Sequence, residues 1–362
     1  MSWSSVLDRA RAGRGAQRTE GGALQKMATV DIVGCGAVIK LFHLPALQWL
    51  EREGLVGVRY CLDPNPQAAS AVASRLRRAR AVAVSSPASF DGTGASAAIV
   101  ATPPEHHSAW ALCYLRAGAD VLIEKPAVLT MEEFALLEEA SRIHGRTVLA
   151  AHIRRLYPSV TAAREAVMSG RIGRVTGIEV HSGLRWTWAP QSDFPISSHA
   201  GGVLYDFGSH VLDAALFICG LDDLAWSDVA AERIRVERWP DREPSHVVRA
   251  ELVLRGRGFE IPVAARLSRK EPLANVVRVK GERGEILVDV WYRPTCLLKT
   301  DGSWTSLAGK VPAPYADSPS GCYLAEDLEL WRVWAQRGYD SSLALAHFGL
   351  LTGLLETLVS AQ

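Results

Sequence analysis

A lysine, an aspartate and a histidine are the residues of this chain whose types and spacing suit proton transfer beside a carbon–oxygen bond. Lys125 stands in Glu124-Lys125-Pro126, and Asp206 and His210 stand in Gly201-Gly202-Val203-Leu204-Tyr205-Asp206-Phe207-Gly208-Ser209-His210. Oxidising a carbinol requires a proton to leave oxygen while a hydride leaves carbon. A side chain that titrates near neutrality can take that proton, and an imidazole such as His210 is suited to it. Asp206 lies four residues earlier, so on a helix the two side chains share one face, where the carboxylate can orient the imidazole and stabilise its protonated form. Lys125 can hold the hydroxyl and stabilise developing alkoxide charge, or relay the proton itself. Each residue alone has a plainer reading: a solvated loop lysine, a first-turn acid complementing the helix dipole, a half-buried helix histidine. Together, in this order, they favour the chemical reading.

The hydride needs an acceptor, and the beginning of the chain offers a place for one. Residues Thr29 to Val33 read as a buried strand that turns at Gly34-Cys35-Gly36 into a helix opened by Ala37 and Val38. Glycines there allow a tight turn and let backbone N–H groups approach a pyrophosphate at a helix N-terminus. The third position of that fingerprint, usually Gly or Ala, is Ile39, a branched side chain where helix and strand pack closely. Asp63 ends the next strand, where a carboxylate can accept hydrogen bonds from both ribose hydroxyls and disfavours a 2′-phosphate. NAD is therefore the expected cofactor, with NADP as the alternative because arginines elsewhere can reach a phosphate. Thr102, Pro103 and His106 follow the fourth strand and Glu124 the fifth, which puts them at the C-terminal edge of a parallel sheet, where cofactors bind. The plainer readings are a nucleotide-free tight turn, an Asp-Pro-Asn-Pro turn at Asp63, and loop and helix-start punctuation.

The elements that must position these groups alternate. Strands are expected at residues 29–33, 56–62, 81–84, 97–101, 121–123 and 147–151, with helices at about 44–53, 66–77, 105–117 and 131–144 between them. Asn65 caps one helix with Pro66 at its first position, and Thr130 with Glu133 forms a capping box for another. This alternation argues for βαβ units and a parallel sheet. A different pattern follows: a helix over 159–169, a strand over 174–182, a glycine-led helix over 203–219, then strand-like runs at 247–254, 259–267, 275–279 and 286–290. Short turns between neighbouring strands argue for a largely antiparallel sheet. Two helices are expected at about 323–336 and 343–359, the last of which can pack back on the first domain.

The chain has 362 residues, which suits two domains. The reading divides it into an extension at 1–26, a dinucleotide domain at 27–150 and an α+β domain for substrate binding and oligomerisation at 151–362. Hydrophobic residues make up 48%, charged residues 22%, and the net charge is +1, so there is no basic footprint for nucleic acid. No apolar run is long enough for a bilayer. The six cysteines are scattered without ligand spacing, which reads as free thiols in a reducing cytoplasm, with no metal expected.

With these motifs in order, the sequence resembles the glucose–fructose oxidoreductase / inositol dehydrogenase (Gfo/Idh/MocA) family of NAD(P)-dependent oxidoreductases. The resemblance runs from about Thr29 through Cys219 and more loosely to the C-terminus. It implies an N-terminal Rossmann domain and a C-terminal α+β domain with a large, mainly antiparallel open sheet. It also implies Lys125, Asp206 and His210 as catalytic residues and a cis bond before Pro126. Arg155 and Pro158 match an R-x-x-P stretch of the family, although the asparagine often found two residues before that arginine is Ile153 here. Trp186, Trp188 and His199 precede the Gly-Gly turn, where aromatic faces pack on a sugar ring or, equally, serve sheet packing or a subunit interface. The expected activity is reversible hydride transfer between NAD and a secondary hydroxyl of a sugar, sugar nucleotide or cyclitol, in a homodimer or homotetramer. Two other readings stay open: an NAD-retaining redox glycosidase, and a non-catalytic nicotinamide- or sugar-sensing regulator.

Overall fold

The computed structural model describes residues 27–185, 202–238, 246–291, 295–307 and 341–361. The expected extension at 1–26 and the expected helix at 323–336 lie outside them. Contacts group the described residues into two units. The first draws on residues 27–124, 136–153 and 341–344, and the second on 125–135, 154–307 and 345–361.

Six strands build the first unit: β1 (Ala28–Val33), β2 (Val56–Asp63), β3 (Arg80–Ala83), β4 (Ala97–Val100), β5 (Asp120–Glu124) and β6 (Val148–Ala151). They lie in the order β3-β2-β1-β4-β5-β6, and every pair is parallel. All residues of β4, β5 and β6 are buried, as expected for strands covered on both faces. The strand order reverses between β1 and β4, the point where such sheets open a crevice at their C-terminal edge. Helices α1 (Leu44–Arg52), α2 (Pro66–Ala73), α3 (His107–Arg116) and α4 (Met131–His144) alternate with the strands. The side chain of Asn65 accepts from Gln67 N and Ala68 N, capping α2 as expected. That helix ends at Ala73, earlier than residue 77: Arg75 N and Leu76 N make turn bonds to Val72 O and Ala73 O, and Arg77 N donates to Glu51 Oε2. At α4, Thr130 Oγ1 accepts from Glu133 N, while Glu133 Oε2 reaches back to Leu129 N. Residues 341–344 extend the edge at β6, where Ala150 N donates to Leu343 O.

The second unit contains α5 (Pro158–Met168), β7 (Val175–Gly183), α6 (Ser209–Ile218), β8 (Ala230–Arg238), β9 (Val247–Gly256), β10 (Phe259–Ser268), β11 (Val276–Gly281), β12 (Gly284–Asp289), β13 (Cys296–Thr300), β14 (Ser303–Ser306) and α7 (Gly349–Ser360). Its eight strands run β14-β13-β12-β11-β7-β10-β9-β8, antiparallel throughout except for the parallel pair β7–β10. Helix α5 packs on β12 and β13, α6 on β7 and β11, and α7 on α6 and β8. Strand β9 shows the period of two that this requires: Val248, Ala250, Leu252 and Leu254 are buried, whereas Arg249, Glu251 and Arg255 are exposed.

The face of this sheet away from the helices carries charge. Arg278 lies 3.7 Å from both Glu179 and Glu285, and Arg255 pairs with Glu232 and Glu260. The sequence reading also missed β8, β13 and β14. Strand β8 is an edge with dense charge and a bulge at Arg233 (φ 54°), and β14 is exposed at every residue. Strand β14 has no apolar face to reveal it, and in β8 only Ile234 and Val236, both half-buried, alternate with the charged residues. Among the described residues, no helix is long and apolar enough to cross a membrane.

Candidate functional site

At the C-terminal edge of the first sheet, the glycine turn is built as a cradle. Gly34 has φ +87°, and a Cβ there would lie 2.5 Å from Ala101 O and 2.8 Å from Thr102 N, so the turn closes on the backbone after β4 only with glycine. A Cβ on Gly36 would meet nothing within 4 Å. Space is thus left beside the backbone where a diphosphate would approach. Cys35 N donates to Asp63 Oδ2 at 2.7 Å, and Asp63 Oδ1 accepts from Asn65 N at 2.8 Å, so the acid at the end of β2 is tied to the turn after β1. The helix begins at Ala37 and Val38, passes through a π-turn (Ile39–His43) and continues as α1. Pro45, near the start of α1, has no N–H to give to the turn before it, and that turn is the wide one. Ile39 occupies its first position and is fully buried.

Thr102 and Pro103 follow β4, half-buried, and Thr102 O accepts a hydrogen bond from His107 Nε2 when that nitrogen carries the proton. Thr102 Oγ1 is buried with no hydrogen-bond partner among the described residues, as a group awaiting a ligand would be. His106 is exposed in a 3₁₀ turn (Pro104–His106). Glu124 is buried, with Oε1 2.9 Å from His43 Nε2. A tight turn, an open cradle, an acid at the second strand and an orphaned hydroxyl fit a dinucleotide.

In the second unit, the Lys125–Pro126 peptide is cis. Lys125 Nζ donates to Asp206 Oδ1 at 2.7 Å and to Asp206 O at 3.3 Å. The segment after the lysine is pinned, since Tyr205 Oη donates to Leu129 O and Leu129 N to Glu133 Oε2. Asp206 lies on a second π-turn (Leu204–Gly208), and His210 lies half-buried in the first turn of α6. Asp206 does not serve the imidazole as the sequence had led us to expect. Its second oxygen, Oδ2, accepts from an Arg269 guanidinium N–H at 2.7 Å, so both oxygens face cations. Burial by itself would raise the pKa of Asp206, but the charges and hydrogen bonds of Lys125 and Arg269 overcome it and hold the carboxyl at about 2. Arg269 was absent from the sequence reading. It stands in a Ser-Arg-Lys-Glu stretch that looks like a solvated turn, and no local signal marks it.

Arg155 corrects another expectation. Expected to meet substrate, its side chain is instead fully buried, with Nε and NH2 on Asp213, NH1 on Asp222 at 3.1 Å, and its guanidinium carbon 4.0 Å from the Phe348 ring centroid. Pro158 begins α5. Trp186, Trp188, His199 and Gly201 lie outside the described residues. Asp222, Asp223 and His347 bring ligand-type atoms within 4.8 Å of one another, but both Asp222 oxygens are already held by Arg155 and Arg164.

Comparison with known proteins bears on the fold and the family. Residues 28–152 match the family described as an oxidoreductase family with an NAD-binding Rossmann fold, and residues 160–286 match the GFO/IDH/MocA C-terminal domain. An uncharacterised oxidoreductase of Rhizobium meliloti is 31% identical over 280 residues, covering 73% of this chain and 75% of that protein. Glucose-6-phosphate 3-dehydrogenase of Bacillus subtilis is 25% identical over 274 residues, covering 72% of this chain and 73% of that protein. The structure of a levoglucosan dehydrogenase in complex with NADH and levoglucosan superposes with a TM-score of 0.74 at 19% identity, covering 92% of this chain and 96% of that one. With an NAD-binding Rossmann sheet, a largely antiparallel second sheet and relatives of this kind, the chain belongs to the Gfo/Idh/MocA family of NAD(P)-dependent oxidoreductases.

Proposed function

We propose that the protein transfers hydride reversibly between NAD and a secondary hydroxyl or ketone of a sugar, sugar nucleotide or cyclitol. The observation that carries this reading is Lys125 Nζ held 2.7 Å from an ionised Asp206, four residues before His210. When bound, the nicotinamide supplies the hydride acceptor or donor. In the oxidising direction, His210 takes the hydroxyl proton, and in the reverse direction it returns it. Lys125 holds the substrate oxygen and stabilises the alkoxide as it develops. Asp206 keeps the lysine aimed. On the first unit, Gly34, Gly36, Ala37, Val38, Thr102, Pro103, His106 and Glu124 are the residues for the dinucleotide, and Asp63 is the one that prefers a free 2′-hydroxyl. The relative named for glucose-6-phosphate supports a polyol substrate. The same reading includes a homodimer or homotetramer associating through the charged face of the eight-stranded sheet, in the cytoplasm.

The test is an NADH absorbance screen across sugars, sugar nucleotides and inositols, with NAD and NADP in parallel. Turnover with a polyol is expected, and Lys125→Ala and His210→Ala should each lower kcat by on the order of a hundredfold while NAD still binds. Near-normal rates in both variants would reject the assignment.

A further inference from the structure

Arg269 is a cation that none of the sequence motifs announces. It directly follows β10, the strand flanked by β7 and β9 near the middle of the sheet, and its backbone N–H donates to His246 O at 2.8 Å. Its guanidinium carbon lies 5.6 Å from the centroid of the Phe207 ring, which meets Trp291 edge-on at 6.4 Å. The side chain is 1% exposed. Burial pulls its pKa down from the ordinary arginine value, and Asp206 opposes that. Burying a guanidinium is costly, and well-packed apolar residues often serve stability as well as a buried ion pair does. Stability alone is therefore a poor reason for an arginine here.

Geometry supplies a better one. Asp206 is reached on Oδ1 by a lysine, a long chain with many rotamers, and on Oδ2 by a planar fork on a rigid strand end. A carboxylate held at one oxygen can turn about its Cβ–Cγ bond. Held at both, it presents Oδ1 in one direction, and Lys125 Nζ settles between that oxygen and the Asp206 carbonyl. We propose that Arg269 is a positioning residue, clamping Asp206 so that Lys125 is aimed at the reacting oxygen; the inference rests on the hydride-transfer reading above.

Steady-state kinetics on the full chain test it, with NAD and the polyol found by the screen, for R269Q, R269K, D206N and R269Q/D206N. The clamp requires R269Q to lower kcat by about thirtyfold with KM for NAD changed less than about twofold, and R269K to restore about tenfold of that loss. Once D206N has removed the carboxylate, R269Q should cost less than about threefold more. A kcat for R269Q within about twofold of wild type overturns the proposal, as does an equal loss in both backgrounds. If R269Q does not fold, R269K carries the test: a loss that vanishes in the D206N background supports the clamp, and no loss, or one that persists there, overturns it. If no polyol is oxidised, the hydride-transfer reading falls, while a crystal structure of R269K still decides the positioning. Lys125 Nζ displaced from Asp206 Oδ1 supports it, and an unchanged pair overturns it.

Discussion

The backbone N–H of Cys35 donates to Oδ2 of Asp63 at 2.7 Å, joining the glycine turn after β1 to the acid that ends β2. The carboxylate expected to meet a ribose also holds the shape of the loop expected to meet a diphosphate. Asp63→Ala should therefore do two things. Loss of a charge-assisted hydrogen bond, about 1.5–3 kcal/mol, predicts a rise of about ten- to a hundredfold in the Kd for NAD. Removing the negative charge should also narrow any preference for NAD over NADP. Titration with both nucleotides checks this, and an unchanged NAD affinity would contradict it.

The two glycines of that turn should fail differently. Gly34→Ala places a Cβ 2.5 Å from Ala101 O at a φ of +87°, so the backbone must move, costing about 1–3 kcal/mol from conformation alone. Gly36→Ala meets nothing within 4 Å and should fold with wild-type stability, yet bind NAD more weakly, because the added methyl fills the open side of the cradle. Thermal melts with and without NAD separate the cases. Equal melting temperatures for Gly34→Ala and the parent would refute the first half.

Acid should reveal the clamp on Asp206. Its pKa is lowered in the fold, from 3.8 to about 2. A lowered carboxyl pKa contributes stability that is present above the unfolded value and is lost as pH falls through the folded one. The stability gap between the parent and Asp206→Asn should therefore be steady above about pH 4 and shrink between about pH 4 and pH 2, by at most about 2 kcal/mol. Burial of Arg269 opposes its own charge and reduces the net gain of the cluster. Denaturant unfolding across that range is the measurement, and a gap independent of pH would contradict the pairing.

Arg155 should behave as a structural residue. Truncating it to Met leaves Asp213 and Asp222 buried without the guanidinium between them, which costs about 3–5 kcal/mol. A lower melting temperature with substrate KM unchanged is expected of whatever protein folds. A variant of normal stability with a raised KM would return Arg155 to the substrate.

Much of the first sheet was legible because its signals are local. A buried apolar strand, Gly34 turning at its end with φ +87°, and Asn65 capping the helix that Pro66 begins each act within a few residues of their effect. The antiparallel second sheet was legible only where one face of a strand is apolar. Strand β14 lacks such a face and β8 has only the short one of Ile234 and Val236, and their hydrogen bonds come from neighbours in the sheet.

Lys125, Asp206 and His210 were singled out by their residue types and order, but tertiary structure decided their partners. Arg269 stands 63 residues after Asp206, and Asp213 and Asp222 stand 58 and 67 residues after Arg155. No periodicity encodes such pairings. A side chain's type sets what it can bond to, and only the folded chain sets which partner arrives. The sequence by itself thus determined the dinucleotide turn and the chemical inventory, whereas the fold assigned Asp206 to two cations and withdrew Arg155 into the interior.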